Sequence, residues 1–295
     1  MIVVKLQGGL GNQLFQYATA RALARHHRTS VAFDLSFFQA LDANTAITPR
    51  SYELHNLGIV PRSVPLLSQI AYGLWRPPFQ KKRIQQLAQR LHAGMIYREK
   101  SFRFDPTLRA STTDRTYLVG YFQSERYFED SRTLLLEELK FPTSPPPELA
   151  SLIQSTPSVS LHIRRGDYAT NPITRQFHGM CSLDYYAKAV ELLTEKLGPI
   201  HLFVFSDDLA WAREKLHFAH PVTFVEGHSG AHSYKDMQLM SLCHHHIIAN
   251  SSFSWWGAWL NPSPEKIVIA PRQWFAEPTA ESQSQDLVPP SWIRV

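Results

Sequence analysis

Residues 1–34 read MIVVKLQGGLGNQLFQYATARALARHHRTSVAFD, and the order of patterns inside them sets the fold class. Ile2 to Leu6 is a short apolar run stopped by glycines, which reads as a buried strand. Gly8 to Gly11 supply the turn, and Gln13 to His27 then carry helical periodicity through Leu14, Tyr17, Ala18 and Leu23. Ser30 to Asp34 returns as a second strand. Strand, glycine turn, helix and strand in that order begin a parallel α/β layer. Gly9 and Gly11 open like a dinucleotide fingerprint, but Leu14 stands where its third glycine belongs and there is no Walker lysine, so a nicotinamide enzyme is disfavoured.

Working outward, Tyr117 to Phe122 reads as a further strand and Glu125 to Leu139 as its helix, with helical pieces also expected at Leu66 to Trp75 and Ile84 to His92. Pro142, Pro145, Pro146 and Pro147 interrupt every regular pattern, which marks Phe141 to Pro157 as the linker. Two domains are therefore expected, 1–150 and 151–295. The second carries predicted strands at Ser158 to Arg164, Ile200 to Ser206, Val222 to Val225, His245 to Asn250 and Lys266 to Ala270. Helices are expected between them at Leu183 to Leu197, Leu209 to Leu216, Tyr234 to Cys243 and Phe253 to Leu260. That alternation predicts a doubly wound parallel sheet with its ligand at the carboxyl ends of the strands.

Composition bounds the function. A hydrophobic fraction of 44% and a charged fraction of 19% are those of a globular enzyme rather than a disordered or fibrous chain. The net charge of +5 modestly favours anionic ligands. Arg76, Lys81, Lys82, Arg83 and Arg90 cluster near Trp75 and Phe79, but no nucleic-acid motif accompanies them and a solvated helix face is expected. Two cysteines, Cys181 and Cys243, are too far apart in sequence for a metal knuckle and fit a reducing cytoplasm. The opening apolar run is shorter than a secretory or membrane segment, so a cytoplasmic protein is expected, with a location peripheral to the inner face of the membrane as the alternative.

Chemistry gathers where the predicted strands end. His162-Ile163-Arg164-Arg165-Gly166-Asp167-Tyr168 closes one of them with two adjacent guanidiniums, planar permanent cations suited to clamping a diphosphate, and Gly166 is expected to let the backbone turn. The competing reading is an arginine pair salt-bridged to Asp167. Ser206, Asp207 and Asp208 end the next strand, Asp236 lies early in a predicted helix, and Asn250, Ser251 and Ser252 end another strand. A carboxylate accepts both N–H donors of a guanine edge, and hydroxyls at a helix N-terminus suit a phosphate. Asp207 and Asp208, and likewise Ser251 and Ser252, also read as caps of the helices that follow them.

Four segments together, Gly8 to Ala18 (GGLGNQLFQYA), HIRRGDY, Phe205 to Asp208 (FSDD) and Asn250 to Leu260 (NSSFSWWGAWL), resemble glycosyltransferase family 11, the family of bacterial α-1,2-fucosyltransferases. The resemblance spans both halves of the chain, while Phe37 to Thr113 carries no motif of it. It implies a GT-B-like α/β fold, two Rossmann-like domains facing across a cleft, with an acceptor-side N-terminal domain and a C-terminal domain that binds GDP-fucose. It implies transfer of L-fucose from GDP-β-L-fucose, with inversion, to the 2-hydroxyl of a galactose-terminated glycan, and no cofactor or metal. By its pattern Arg164 and Arg165 lie at the pyrophosphate, His162 is near the nucleotide, Asp236 reads guanine, Ser252 and Phe253 form the phosphate-side loop, and Asn12 reaches the donor from the other domain.

In such a reaction the leaving nucleotide's charge must be met by cations and helix N-termini. Asp167 and His178 are both candidate bases for the acceptor hydroxyl, and Asp167 has the alternative of only orienting Arg165. His244, His245 and His246 alternate faces on a strand, which disfavours a zinc site. Trp255, Trp256 and Trp259 read either as a sugar platform or as a helix packed on the sheet. The expected partners are GDP-fucose and a galactoside acceptor, with possible peripheral contact to a membrane-linked glycan and none with nucleic acid. Alternatives are a transferase for another nucleotide sugar and a non-catalytic glycan-binding module.

Overall fold

The computed structural model describes residues 1–39, 50–74, 86, 94–226, 228 and 230–295. These fall into two compact units, Met1–Lys140 and Phe141–Val295. In the first, β1 (Ile2–Lys5), β2 (Val31–Asp34), β3 (Met95–Arg98) and β4 (Thr116–Val119) form one sheet in the order β2-β1-β4-β3, with every pair parallel. The helix Leu10–His26 crosses from β1 to β2 and is buried almost all round, so Gln13 and Gln16 must find partners inside. Gln13 donates to the carbonyls of Gly8 and Ser51 and accepts from the Glu53 amide, while Gln16 accepts from Gln7 and donates to Gly120. Two glutamines thereby tie the loops at the carboxyl ends of β1 and β4 to one helix.

In the second unit β5 (Ser158–Ile163), β6 (His201–Ser206), β7 (Val222–Phe224), β8 (His245–Ile247), β9 (Val268–Ala270) and β10 (Ile293–Arg294) form a six-stranded parallel sheet ordered β10-β9-β8-β5-β6-β7. That is the Rossmann order, and it reverses between β5 and β8, where open α/β sheets place their ligands. β5 is buried at every position and packs through Val159, Leu161 and Ile163 against Tyr186, Ala189 and Leu193 of the helix Leu183–Leu197. On the other face Phe203, Phe205, Leu239 and Met240 form a second cluster. Two Rossmann-like units in one chain are the make-up of the GT-B-like α/β class.

Trp255, Trp256 and Trp259 are fully buried, and the Trp255 indole donates to the Leu287 carbonyl. The helix Ser252–Trp259 is thus packed into the unit rather than offering a sugar platform. Truncating one such tryptophan to alanine costs about 3–5 kcal/mol.

Several expectations need correction. The unit boundary falls after Lys140 rather than at 150, because the expected linker holds a helix, Pro147–Ser155, whose Ile153 packs against Phe203 and Phe205. Proline at the first helical turn removes a donor that would be orphaned anyway, so the proline cluster starts a helix instead of preventing one. Glu125 to Leu139 is not one helix: two 3-10 turns precede Arg132–Glu138, with the buried Phe128 in an extended φ of -142° between them. The helix from Leu66 stops at Ala71 before Gly73, which has a φ of +73°. Trp75, Phe79, the basic cluster Arg76, Lys81, Lys82, Arg83 and Arg90, and the helix expected at Ile84 to His92 lie outside the described residues, Gln86 apart.

Candidate active site

β5 ends at Ile163, and the next residues lie at the point where strand order reverses. There Arg164 meets two carboxylates, Nη1 at 2.7 Å from Asp207 Oδ2 and Nη2 at 2.6 Å from Asp167 Oδ1. Burial alone would weaken its hold on the proton, but Asp207 and Asp167 more than offset that, and its pKa ends above the ordinary value. Arg165 lies with its guanidinium 3.9 Å above the Trp211 ring, its Nε 3.2 Å from Asp208 Oδ2. Its backbone amide donates to Asp207 Oδ1 at 2.8 Å. Asp207 thus holds a backbone and a side chain of the arginine pair at once.

Gly166 has a reason other than the expected sharp turn. Its φ is not positive, and it opens a short helix, Gly166–Thr170, but a Cβ there would lie 2.5 Å from Asp207 Oδ2. The glycine lets the Asp207 carboxylate, one residue past β6, approach the chain after β5. Of the expected caps, Asp208 does cap the helix Leu209–Lys215 through the Trp211 amide, and it is itself turned by Ser206, whose hydroxyl accepts from the Asp208 amide at 3.0 Å. Asp167 forms a salt bridge with Arg164, so the reading of the arginine pair as salt-bridged to Asp167 holds for its first member.

His178, at the end of the helix Pro172–His178, joins this cluster by stacking on Tyr168 at 4.6 Å and 8°, with Arg164 5.3 Å over the other ring. Burial pushes its pKa down to about 4, Asp167 opposing and Arg164 reinforcing, and its Nδ1 is buried without a hydrogen-bond partner. Asn250 fixes its backbone: the carboxamide of Asn250 donates to the His178 carbonyl at 2.9 Å and to that of Trp274 at 3.1 Å. Both donor contacts of the Asn250 carboxamide are thus to main-chain carbonyls, which ties the end of the helix Pro172–His178 to the segment at Trp274.

His162 is buried, packs its ring 5.7 Å from Phe253, and has an Nδ1 with no partner. Burial and then Arg164 drive its pKa down to about 3, so it is neutral at neutral pH. Ser251 caps the helix Ser252–Trp259, accepting from the Phe253 amide at 3.3 Å, while Ser252 is the first helical residue and is partly exposed.

The remaining expected residues do not join the arginines through any direct contact. Asp236 binds His228 Nδ1 through Oδ1 at 2.7 Å, and burial raises its pKa to about 6 against the pull of that histidine. Asn12 belongs to the first unit, where its Oδ1 accepts from Gln123 at 2.7 Å. Trp211 and His228 are partners that sequence reading missed, and neither carries a local signal beyond its proximity in the fold.

The three consecutive histidines are each engaged. His244 and His246 meet Ser158 and Ser160 at 2.9 and 2.8 Å, and His245 accepts from the Ile267 amide. No group of three His, Cys, Asp or Glu side chains fit to hold a metal occurs among the described residues, and no described helix is long and apolar enough to cross a membrane.

With this geometry in hand, comparison gives the class. The chain matches Glycosyl transferase family 11 over residues 79–295. It is 32% identical to the Escherichia coli protein named alpha-1,2-colitosyltransferase, over 100% of this chain and 99% of that one, and the chain belongs to glycosyltransferase family 11. It is also 34% identical to the Escherichia coli O-antigen biosynthesis glycosyltransferase WbnK over 98% of this chain and 99% of that one. The mouse galactoside 2-alpha-L-fucosyltransferase Sec1 is 25% identical over 88% of this chain and 64% of its own length. Among solved structures the fucosyltransferase NodZ from Bradyrhizobium aligns over 88% of this chain and 93% of its own, with a TM-score of 0.47 and 15% identity.

Proposed function

We propose that this glycosyltransferase moves L-fucose from GDP-β-L-fucose to the 2-hydroxyl of a galactoside in an oligosaccharide or surface polysaccharide, with inversion and without a metal. The observation that carries the reading is the arginine pair fixed at the strand-order reversal of the second sheet. Arg164, neutralised by two carboxylates, shapes the site, and Arg165, with one carboxylate at its Nε and its flat face on Trp211, turns its terminal N–H groups to the leaving diphosphate. Ser252, at the start of its helix, adds the dipole end that favours the same anion. Asp236 reads guanine with His228 holding its second oxygen, and His162 and Phe253 flank the nucleotide.

The acceptor side is assigned to the first unit, with Asn12 as its contribution to the donor. Of the two base candidates His178 fits better, because it is neutral and its Nδ1 is without a partner, whereas Asp167 is held by Arg164. An oxocarbenium-like path asks little base strength, which suits an imidazole of low pKa.

A second donor is favoured by one observation: the full-length relative whose name specifies a colitosyl α-1,2 transfer. Incubation with GDP-fucose or a colitosyl donor and a panel of β-galactosides, followed by NMR assignment of the product linkage, tests both. An α-1,2-fucosyl product is expected. Turnover only of the colitosyl donor moves the assignment to that sugar, and binding of glycan with no GDP release from either donor leaves a non-catalytic module.

A further inference from the structure

A histidine that takes a proton at one ring nitrogen is usually aimed by a hydrogen bond at the other, but the His178 Nδ1 is buried with no partner. Aromatic side chains hold the imidazole instead. The Tyr168 ring lies 4.6 Å from it with 8° between their planes, the Phe177 ring meets it edge-on at 4.9 Å, and Phe275 adds a third contact at 5.7 Å. Two of these rings are fixed by main-chain bonds. The Phe177 carbonyl accepts the amides of Ala276 and Glu277 at 3.0 and 3.1 Å, and Glu281 Oε2 accepts those of Trp274 and Phe275 at 2.9 and 2.8 Å. Tyr168 differs from both. Buried on the short helix Gly166–Thr170, it also lies under the Arg164 guanidinium, 5.3 Å from its ring centroid, so one side chain touches the arginine pair and the base.

We propose that Tyr168 is the positioning residue for His178, its ring setting the plane of the imidazole that receives the acceptor proton. The inference rests on the reading of His178 as the base, and it involves residues of the second unit alone. A parallel stack fixes a ring plane without using a nitrogen, which leaves the imidazole lone pair for the acceptor hydroxyl. In the transfer the acceptor oxygen bonds the anomeric carbon, the diphosphate leaves with the electrons of the broken C–O bond, and the hydroxyl proton ends on the imidazole. The imidazolium then forms against an aromatic face, which attracts a cation.

Steady-state kinetics with the donor that the wild type turns over, beside isothermal titration of GDP, tests this on Tyr168→Leu, Tyr168→Phe, His178→Gln and the double variant Tyr168→Leu/His178→Gln. Tyr168→Leu removes the ring, keeps apolar bulk and leaves Arg164 its two carboxylates. Its kcat should fall about tenfold, the scale of one lost aromatic pair, while GDP binds as in the wild type and so reports a folded protein. Tyr168→Phe keeps the ring and should restore most of the turnover. Because the tyrosine acts through the histidine, the double variant should be no slower than His178→Gln alone. Unchanged kcat in Tyr168→Leu, equal losses in the Leu and Phe variants, a fall in GDP affinity parallel to that in kcat, or additive losses in the double variant overturns the inference alone. Wild-type turnover in His178→Gln refutes the base reading itself, and the inference falls with it.

Discussion

Asp207 Oδ2 lies 2.7 Å from Arg164 Nη1 and would lie 2.5 Å from a Cβ added to Gly166, so one carboxylate needs both a cation and a missing side chain to reach its place. Gly166→Ala is therefore expected to push Asp207 off the arginine pair. Isothermal titration should show GDP binding weakened about tenfold or more. Unchanged affinity in a folded variant would mean that Asp207 does not organise the site.

Arg165→Ala removes the cation with the freer terminal groups and keeps Arg164 in its carboxylate cage. Loss of one preorganised donor to developing charge costs roughly 2.7–4 kcal/mol, so kcat should fall by ~100-fold or more. Steady-state turnover near that of the wild type would exclude Arg165 from the leaving-group side.

Asp236 has its pKa raised to about 6 by burial, which makes its role testable by pH. A carboxylate accepts both N–H donors of guanine, and its protonated form loses part of that capacity. GDP affinity should then hold above pH 7 and fall as pH drops through about 6. Asp236→Asn should abolish that dependence and erase the preference for GDP over UDP; a preference that survives the substitution places guanine recognition elsewhere.

His162 and His178 have pKa values pushed down from 6.5 to about 3 and about 4, chiefly by burial. A depressed folded-state pKa means that the unfolded chain takes up protons first as pH falls. Their contribution to stability is thus complete above about pH 6.5 and is lost toward pH 4 and then 3. Thermal unfolding should show Tm falling over that window, and His178→Gln should flatten its upper part.

Glu99 acts in the opposite direction. Burial raises its pKa to about 7 although it accepts the amides of Tyr121 and Phe122, so its contribution to stability is complete below about pH 4.5 and is lost as pH rises through 7. Phe122 sits at a φ of +53°, a strained position for a residue with a side chain, and the two accepted amides hold it there. Glu99→Gln should reduce the alkaline loss in Tm between pH 5 and 8, read by the same scan, and an unaltered slope would remove Glu99 as its source.

The sequence by itself determined the alternation of strands and helices in the second unit, the helix Leu183–Leu197 to the residue, and the four motif segments that identify the family. Those signals are local: apolar runs, periodicity and turn residues lie within a few positions of one another. It missed β3 because Met95–Arg98 alternates weakly on a sheet edge, and β10 because two residues carry no period. Only the tertiary structure decided which carboxylate meets which arginine, since Arg165 and Asp207 are 42 positions apart and follow two different strands, β5 and β6, of one sheet. The same holds for Asn250, whose motif position suggested a ligand contact but whose amide faces the carbonyls of His178 and Trp274. A side chain's chemistry is written in the chain, but the partner that uses it is set by strand order, which brings distant segments to one edge.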